Sequence, residues 1–340
     1  MKILKMNKFN SDNKKLIRTN WAKPIVTYIK DNLNKKLFYL GLPDSEAHDI
    51  VEWIEHIDTV YAFQCREYPE PSAPEQSREK VLALENTLRA FERKRQLTTF
   101  DVFDGYIEEV ILRGFDNSPT IKEFTQQDVI TLYNLDFCWQ VTSPIEYKDR
   151  NGTPKKAYKF DAIKRLLDLQ KQITFPNKKF IMFLTLHCSY DGKELSDFIA
   201  NPQNTDIKIY LAQISKLSKG KKSPYLVKAF VLHFLQQFFS TNEFIAEVLP
   251  TIHYVGDNNN PILFFTILGT SAQNKGAGGI VHYQKLNETL NCPFIEINNN
   301  TFEKSTSFAL ANDTTLDTNL NPIHLFKKSK TYKNLWKNNA

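Results

Sequence analysis

The chain has 340 residues, 41% hydrophobic and 24% charged, which is enough for one large packed domain or two smaller ones and argues against disorder. Its four cysteines (Cys65, Cys138, Cys188, Cys292) lie far apart without a CxxC pair, so they read as reduced, mostly buried thiols, not as a disulfide framework or a structural zinc site. No apolar run reaches bilayer-spanning length, and the start MKILKMNKFNSDNKK lacks the apolar segment and cleavage site of a secretion signal, so a cytoplasmic protein with no membrane association is expected.

The net charge of +6 is unevenly spread: residues 1–36 carry +8 and residues 326–340 carry +5, which leaves the middle at −7. Basic ends around an acidic body fit either solvated tails or arms that embrace a polyanion, and nucleic acid is the partner such arms would hold. SKLSKGKKSPYLVK (215–228) is a further basic stretch, expected to be a loop because Gly220 and Pro224 interrupt it.

In chain order, LIRTNWAKPIVTYIKDNL (16–33) reads as a helix broken near Pro24, and KLFYLGL as the first strand. The helix that follows is expected to bury Ala47, Ile50, Val51, Ile54 and Ile57 on one face, with Asp44 or Ser45 capping its start. DTVYAFQCRE (58–67) is the second strand, and a proline-rich hinge leads into a charged helix from about Glu75 to Lys94. A short strand ends near Asp104, with Ile107 to Leu112 as a helix or a further strand. DVITLYNLDFCWQ (128–140) is the fourth strand, expected to stop at Asn134, Asp136 and Cys138.

FDAIKRLLDLQKQI (160–173) is an amphipathic helix, and the near-continuous apolar run KKFIMFLTLHCS (178–189) is a strand covered on both faces. Helices follow at 194–217 and 224–241, and FIAEVLPTIHYVG and NPILFFTILGT, joined by DNNN, form a hairpin. Alternating strands and helices closed by a hairpin imply an α/β class, a doubly wound and mostly parallel sheet whose ligands sit at the carboxyl ends of the strands. LHCSYDG offers His187, Cys188 and Asp191, but no further ligands can be placed, and no metal is assigned.

This order, over roughly residues 16–270, resembles the class I S-adenosylmethionine-dependent methyltransferases, whose Rossmann-like seven-stranded sheet ends in an antiparallel hairpin. The resemblance divides the chain into a basic arm and leading helix (1–35), a Rossmann-like methyltransferase domain (36–275) and an irregular extension with a basic tail and one strand, CPFIEI (276–340). It also implies S-adenosylmethionine as cofactor. YLGLPDSEAHDI stands where the first motif approaches the cofactor's methionine part, which points to Gly41, Leu42 and Pro43. AFQCRE puts Glu67 at the ribose hydroxyls, unless Arg66 pairs with it, and FDVFDGYIEEVI puts Asp104 with Gly105 at the adenine. YNLDFCW resembles the fourth motif and makes Asp136, with Asn134, the candidate for orienting or deprotonating the acceptor.

The first loop departs from the family's glycine-rich pattern, since only Gly41 is present, and the fourth motif is neither Asp-Pro-Pro-Tyr nor Pro-Cys. Two functions follow. One is methyl transfer to a large, nucleic-acid acceptor. The other is a catalytically inactive binding or assembly subunit with a protein partner, of the kind a bacterial defence or mobile-element system uses.

Overall fold

A computed structural model of the chain describes residues 11–64, 76–175, 178–188, 193–200, 202, 204–256, 260–272, 284–329 and 331–336. Helix α1 (Asp12–Leu16) runs through a widened turn, Ile17–Ala22, into α2 (Lys23–Leu33). The widened turn directly precedes Pro24, whose ring forbids a regular bond there. Next come β1 (Leu37–Gly41), α3 (His48–Trp53), β2 (Ile57–Gln64), α4 (Gln76–Arg93), β3 (Thr99–Asp104), α5 (Ile107–Arg113) and β4 (Leu132–Gln140). A small hairpin, β5 (Ile145–Lys148) and β6 (Pro154–Ala157), precedes α6 (Lys159–Gln172) and β7 (Lys179–His187). Helices α7 (Lys193–Ala200), α8 (Thr205–Ile214) and α9 (Lys219–Thr241) lead to β8 (Phe244–Val248), β9 (Ile252–Val255) and β10 (Pro261–Ser271). The chain then forms α10 (Leu286–Leu290), β11 (Ile295–Asn298), β12 (Thr301–Lys304) and α11 (Pro322–Lys328).

The sheet order is β12-β11-β9-β10-β7-β4-β1-β2-β3, with β8 also paired to β10. Strands β3, β2, β1, β4 and β7 are parallel, and β10 is antiparallel to β7, β8 and β9. The expected doubly wound, mostly parallel sheet with a closing hairpin is therefore present. Its outer hairpin arm is split into β8 and β9 around Pro250, and β11–β12 extend the edge beyond it. The chain winds outward from β1 to β3, then returns to lay β4 on β1's other side, so the order reverses between β1 and β4.

Side-chain alternation along the central strand divides the interior. Ile181 and Phe183 of β7 face a core with Trp21, Ile25, Val26, Ile50, Trp53 and Leu84. Phe180, Met182, Leu184 and Leu186 face the opposite core of α5, α6, α8 and α9. The near-continuous apolar run thus lies between two packed layers, as the sequence implied.

Three local expectations change. Val51 is 47% exposed because Ile50, Trp53 and Ile54 take the inward face, and Ile57 already belongs to β2. The fourth strand does not stop at Asn134 or Asp136 but runs on to Gln140, past the end of β1. Most of the basic stretch 215–228 is helical, since α9 starts at Lys219. Pro224 falls in its second turn and removes one backbone bond, a loss offset by burial of Tyr225, Leu226, Val227 and the residues that follow.

The segment expected to be irregular contributes two α-helices, a π-helical turn (Tyr332–Trp336) and two strands among its described residues, and Phe326 and Trp336 are wholly buried. Asn32 donates its amide to the Trp336 carbonyl at 3.2 Å, and Lys179 lies over the Trp336 ring. Within β8, burial pushes Glu247 up to about 7, against hydrogen bonds from Thr331 and Ser329 that favour its charge. A carboxyl raised from 4.5 in the unfolded chain binds more protons when folded. Its contribution is therefore complete below pH 4.5 and lost as pH rises through 7, on the order of 3 kcal/mol. Denaturant titrations from pH 4.5 to 8 should show this loss in the native protein, and Glu247→Gln should flatten it.

Candidate functional site

The reversal of strand order places a crevice at the carboxyl ends of β1 and β4. Gly41 lies opposite Asn134, and the amide of Leu42 donates to the Asn134 carbonyl at 3.0 Å. A β-carbon on Gly41 would stand 2.4 Å from that carbonyl oxygen and 2.6 Å from the Tyr39 hydroxyl. Only glycine fits. The close approach that demands it is made by the chain's own Tyr39 and β4.

Tyr39 donates its phenol to Asp49 Oδ2 at 2.6 Å, and the Asn134 amide donates to the same oxygen. Asp49 is buried in the first turn of α3, and burial raises its pKa although Tyr39, Arg18 and Asn134 favour the carboxylate. Burial, with Asp49 beside it, pushes the Tyr39 phenol far up. Asp44 shapes the turn between β1 and α3, accepting from the backbone amides of Glu46 and His48 and bonding His48 Nδ1 at 2.7 Å. Asp44 thus orders the turn without capping the helix as expected, because the N-cap of α3 is Ala47, in the left-handed region and without a side-chain cap bond.

Two residues beyond Asn134, on the same side of β4, Asp136 forms an ion pair with Lys14 of α1 at 2.6 Å. The Asp136 side chain is 33% exposed, so the pair is worth about 0–1 kcal/mol and opens at little cost. Asn13 of α1 donates to the Val255 carbonyl at 3.0 Å, so α1 crosses the rim from β4 to β9. At the end of β7, His187 is held neutral to lower pH by burial, while Asp136 opposes that shift and Lys14 and Lys159 add to it.

On the other side, Asp104 ends β3 level with Gln64 of β2. Its amide donates to Asp116 at 3.2 Å and its carbonyl accepts from the Asn117 amide at 2.7 Å. Gly105 has φ +143, and a β-carbon there would lie 2.9 Å from Asn117 Nδ2. Beyond it, Glu108 of α5 faces Lys159 of α6 at 3.9 Å, both nearly buried, and Lys159 also donates to the Ser143 carbonyl. Burial raises Glu108 and Lys159 counters it.

The structure therefore aligns Gly41, Asn134, Asp136 and Asp104 along one rim, from β3 across to β4. Three strand spacings of ~4.8 Å make this span ~14 Å. Leu42 and Pro43 lie in the same turn, and Glu67 falls outside the described residues. Lys14, Tyr39, Asp49 and Lys159 are the rim residues that sequence reasoning missed. Asp49 carried a signal, since it sits inside an apolar helical stripe, whereas the pairing of Lys14 with Asp136 spans 122 positions and left none.

A cavity of about 350 Å³ lies at the opposite, amino end of β1, β2 and β4, lined by Lys35, Lys36, Asp58 and Asp128 among others. Doubly wound sheets bind ligands at the carboxyl rim, so this cavity is not the candidate site. Among the described residues no cluster of three His, Cys, Asp or Glu is placed to hold a metal, and no helix is long and apolar enough to cross a membrane.

No family model and no curated protein matches the chain. Among solved structures, an rRNA methylase from Streptococcus thermophilus is similar at 11% identity and a TM-score of 0.29, covering 71% of this chain and 94% of that one. Magnesium protoporphyrin IX methyltransferase from Synechocystis PCC 6803, with bound SAH, is similar at 9% identity and a TM-score of 0.33, covering 77% and 90%. EvdMO1 is similar at 9% identity and a TM-score of 0.34, covering 73% of this chain, which spans only 40% of EvdMO1's length. Likenesses this loose carry no argument, and the architecture rests on the strand order itself.

Gly41→Ala should destabilise the fold by about 1–3 kcal/mol, because the backbone carbonyl of Asn134 cannot swing away as a side-chain tip can. Denaturant midpoints measure it. A variant as stable as the native chain would contradict the packing described.

Proposed function

We propose that the chain is an S-adenosylmethionine-dependent methyltransferase working at the carboxyl rim of β1 and β4, on a nucleic-acid acceptor. The strand order carries this reading. Five parallel strands reverse direction of winding between β1 and β4, and an antiparallel strand follows β7.

The rim residues are compatible with such a cofactor. Gly41 is drawn tight against the Asn134 carbonyl of β4, and Gly105 against Asn117 and Val110, so neither position puts a side chain of its own into the crevice. The ~14 Å from β3 to β4 is of the order of an extended nucleoside with its side chain. Gly41, Leu42 and Pro43 would border the methionine part, Asp104 and Gly105 the adenine, and Glu67 the ribose.

The bound cofactor supplies an electrophilic methyl group on a sulfonium. Everything else falls to the chain: holding the acceptor atom in line, excluding water and taking up a proton where the acceptor loses one. Asp136 is the residue for that last task. Lys14 occupies it in this structure, and an acceptor that displaces Lys14 would find a partly exposed carboxylate. Asn134 is already committed to Asp49, so its part is to fix the β1–β4 register beneath the site.

A second reading, a methyltransferase-like sheet retained for binding or assembly with a protein partner, is favoured by one observation. The space at Gly41 is used by Tyr39 and Asn134, so the glycine alone does not testify to a cofactor.

Calorimetric titration with S-adenosylmethionine and its demethylated product separates the two. Methyl transfer predicts micromolar binding, weakened about 10-fold or more in Asp104→Asn through loss of a charge-assisted hydrogen bond. No heat at millimolar cofactor leaves the assembly reading.

A further inference from the structure

The basic stretch within residues 207–242 is a built corner, not a loose tail. Not one acidic residue occurs between Asp206 and Glu243, while six lysines do. One of them, Lys228, is turned inward and donates to the Leu290 and Cys292 carbonyls. Lys208, Lys216 and Lys221 are exposed and Lys222 is half-buried, around the turn from α8 into α9.

Several cations elsewhere have a carboxylate partner: Lys23 has Glu52, Lys122 Asp101, Arg150 Glu123 and Lys171 Glu243. Among the described residues no carboxylate pairs with Lys208, Lys216, Lys221 or Lys222. The corner is nonetheless rigidly seated. Ile207, Tyr210 and Ile214 bury α8, and Tyr225, Leu226 and Val227 bury α9. Its position is fixed as well, because Ser223 donates its hydroxyl to the Cys188 carbonyl just past the end of β7, on the carboxyl rim.

We infer that this α8–α9 corner is the surface on which a nucleic-acid strand docks through its phosphates, holding a base over the rim of β4 and β7. The inference rests on the methyl-transfer reading for its purpose, though not for its charge. Unpaired lysines on a fixed scaffold suit the sequence-independent phosphate contacts that set register. Gly220 has nothing within 4 Å of its missing side chain, so a backbone can approach the turn closely. An anionic membrane fits less well, because Ile209 is the one large apolar side chain exposed on this corner and insertion needs an apolar face.

The test is fluorescence anisotropy of a labelled single strand of about 20 nucleotides, and of its duplex, against the full chain between about 50 and 200 mM salt. Lys216→Gln/Lys221→Gln/Lys222→Gln should weaken binding more than about 10-fold at the low end and reduce the salt slope by about two to three. The arginine versions should keep both, as should Lys35→Gln/Lys36→Gln at the amino end of the sheet. An unchanged slope in the glutamine variant overturns the surface. So does failure of the native chain to bind either oligonucleotide at the lowest salt, or lysine-dependent binding to phosphatidylserine vesicles in its place. Cofactor titration of the same proteins keeps the two proposals apart: the glutamine variant should retain native cofactor affinity. Oligonucleotide binding without cofactor binding would remove the methyl-transfer reading and leave the surface standing.

Discussion

The contact between β1 and β4 at Gly41 is the constraint on which the rest of the rim depends. A parallel register that seats the Leu42 amide on the Asn134 carbonyl leaves no room for a β-carbon at position 41. The Tyr39 phenol uses the same gap to reach under the turn to Asp49. A buried carboxylate is costly unless its oxygens are met by donors, and here a phenol and an amide converge on one of them with Arg18 nearby. One missing methyl group therefore ties together β1, β4, α3 and the leading helix. The geometry of any ligand site at the switch point is inherited from this network.

The same logic governs the later part of the chain. Lys228 is wholly buried, and burial lowers it to about 8 although Cys292 and Asp313 favour its charge. Two backbone carbonyls and the face of Phe294 replace the water it has lost. That arrangement binds α9 to the loop after α10, which leads into β11 at the sheet edge. Trp336 and Phe326 close the opposite core against α2 and β7. The described residues 284–329 and 331–336 are thus part of the body's packing.

Much of the fold was legible because its signals are local. The apolar runs KLFYLGL and KKFIMFLTLH and the period-3.6 pattern of FDAIKRLLDLQKQI survive as β1, β7 and α6, within a residue or two at each end. What failed was judged by rule without tertiary context. Gly220 and Pro224 read as loop punctuation, yet a 23-residue helix with a buried stripe tolerates both near its start. Asn134 and Asp136 read as strand ends, yet β7 continues alongside and keeps β4 paired beyond the reach of β1. The site was legible only in outline. Gly41, Asp104 and Asp136 do share a rim, but the partners that determine their chemistry, Tyr39, Asp49 and Lys14, are set by side-chain direction and by contacts across 10 to 122 positions.

Charge, too, is shaped by contacts that lie far apart in the chain. Summed by segment, the chain looks like an acidic body between basic ends, and that sum points a polyanion toward the termini. Folded, Lys14 of the basic arm is spent on Asp136, and Lys327 lies over the Tyr28 ring. Lys328 pairs with Asp317. A basic cluster also lies inside the acidic middle, where a gap of 36 residues without an acid coincides with a turn anchored at the end of β7. Potential at a surface depends on which charges remain unpaired and fixed, so the local pattern around α8 and α9 outweighs the net charge of the segment that contains it.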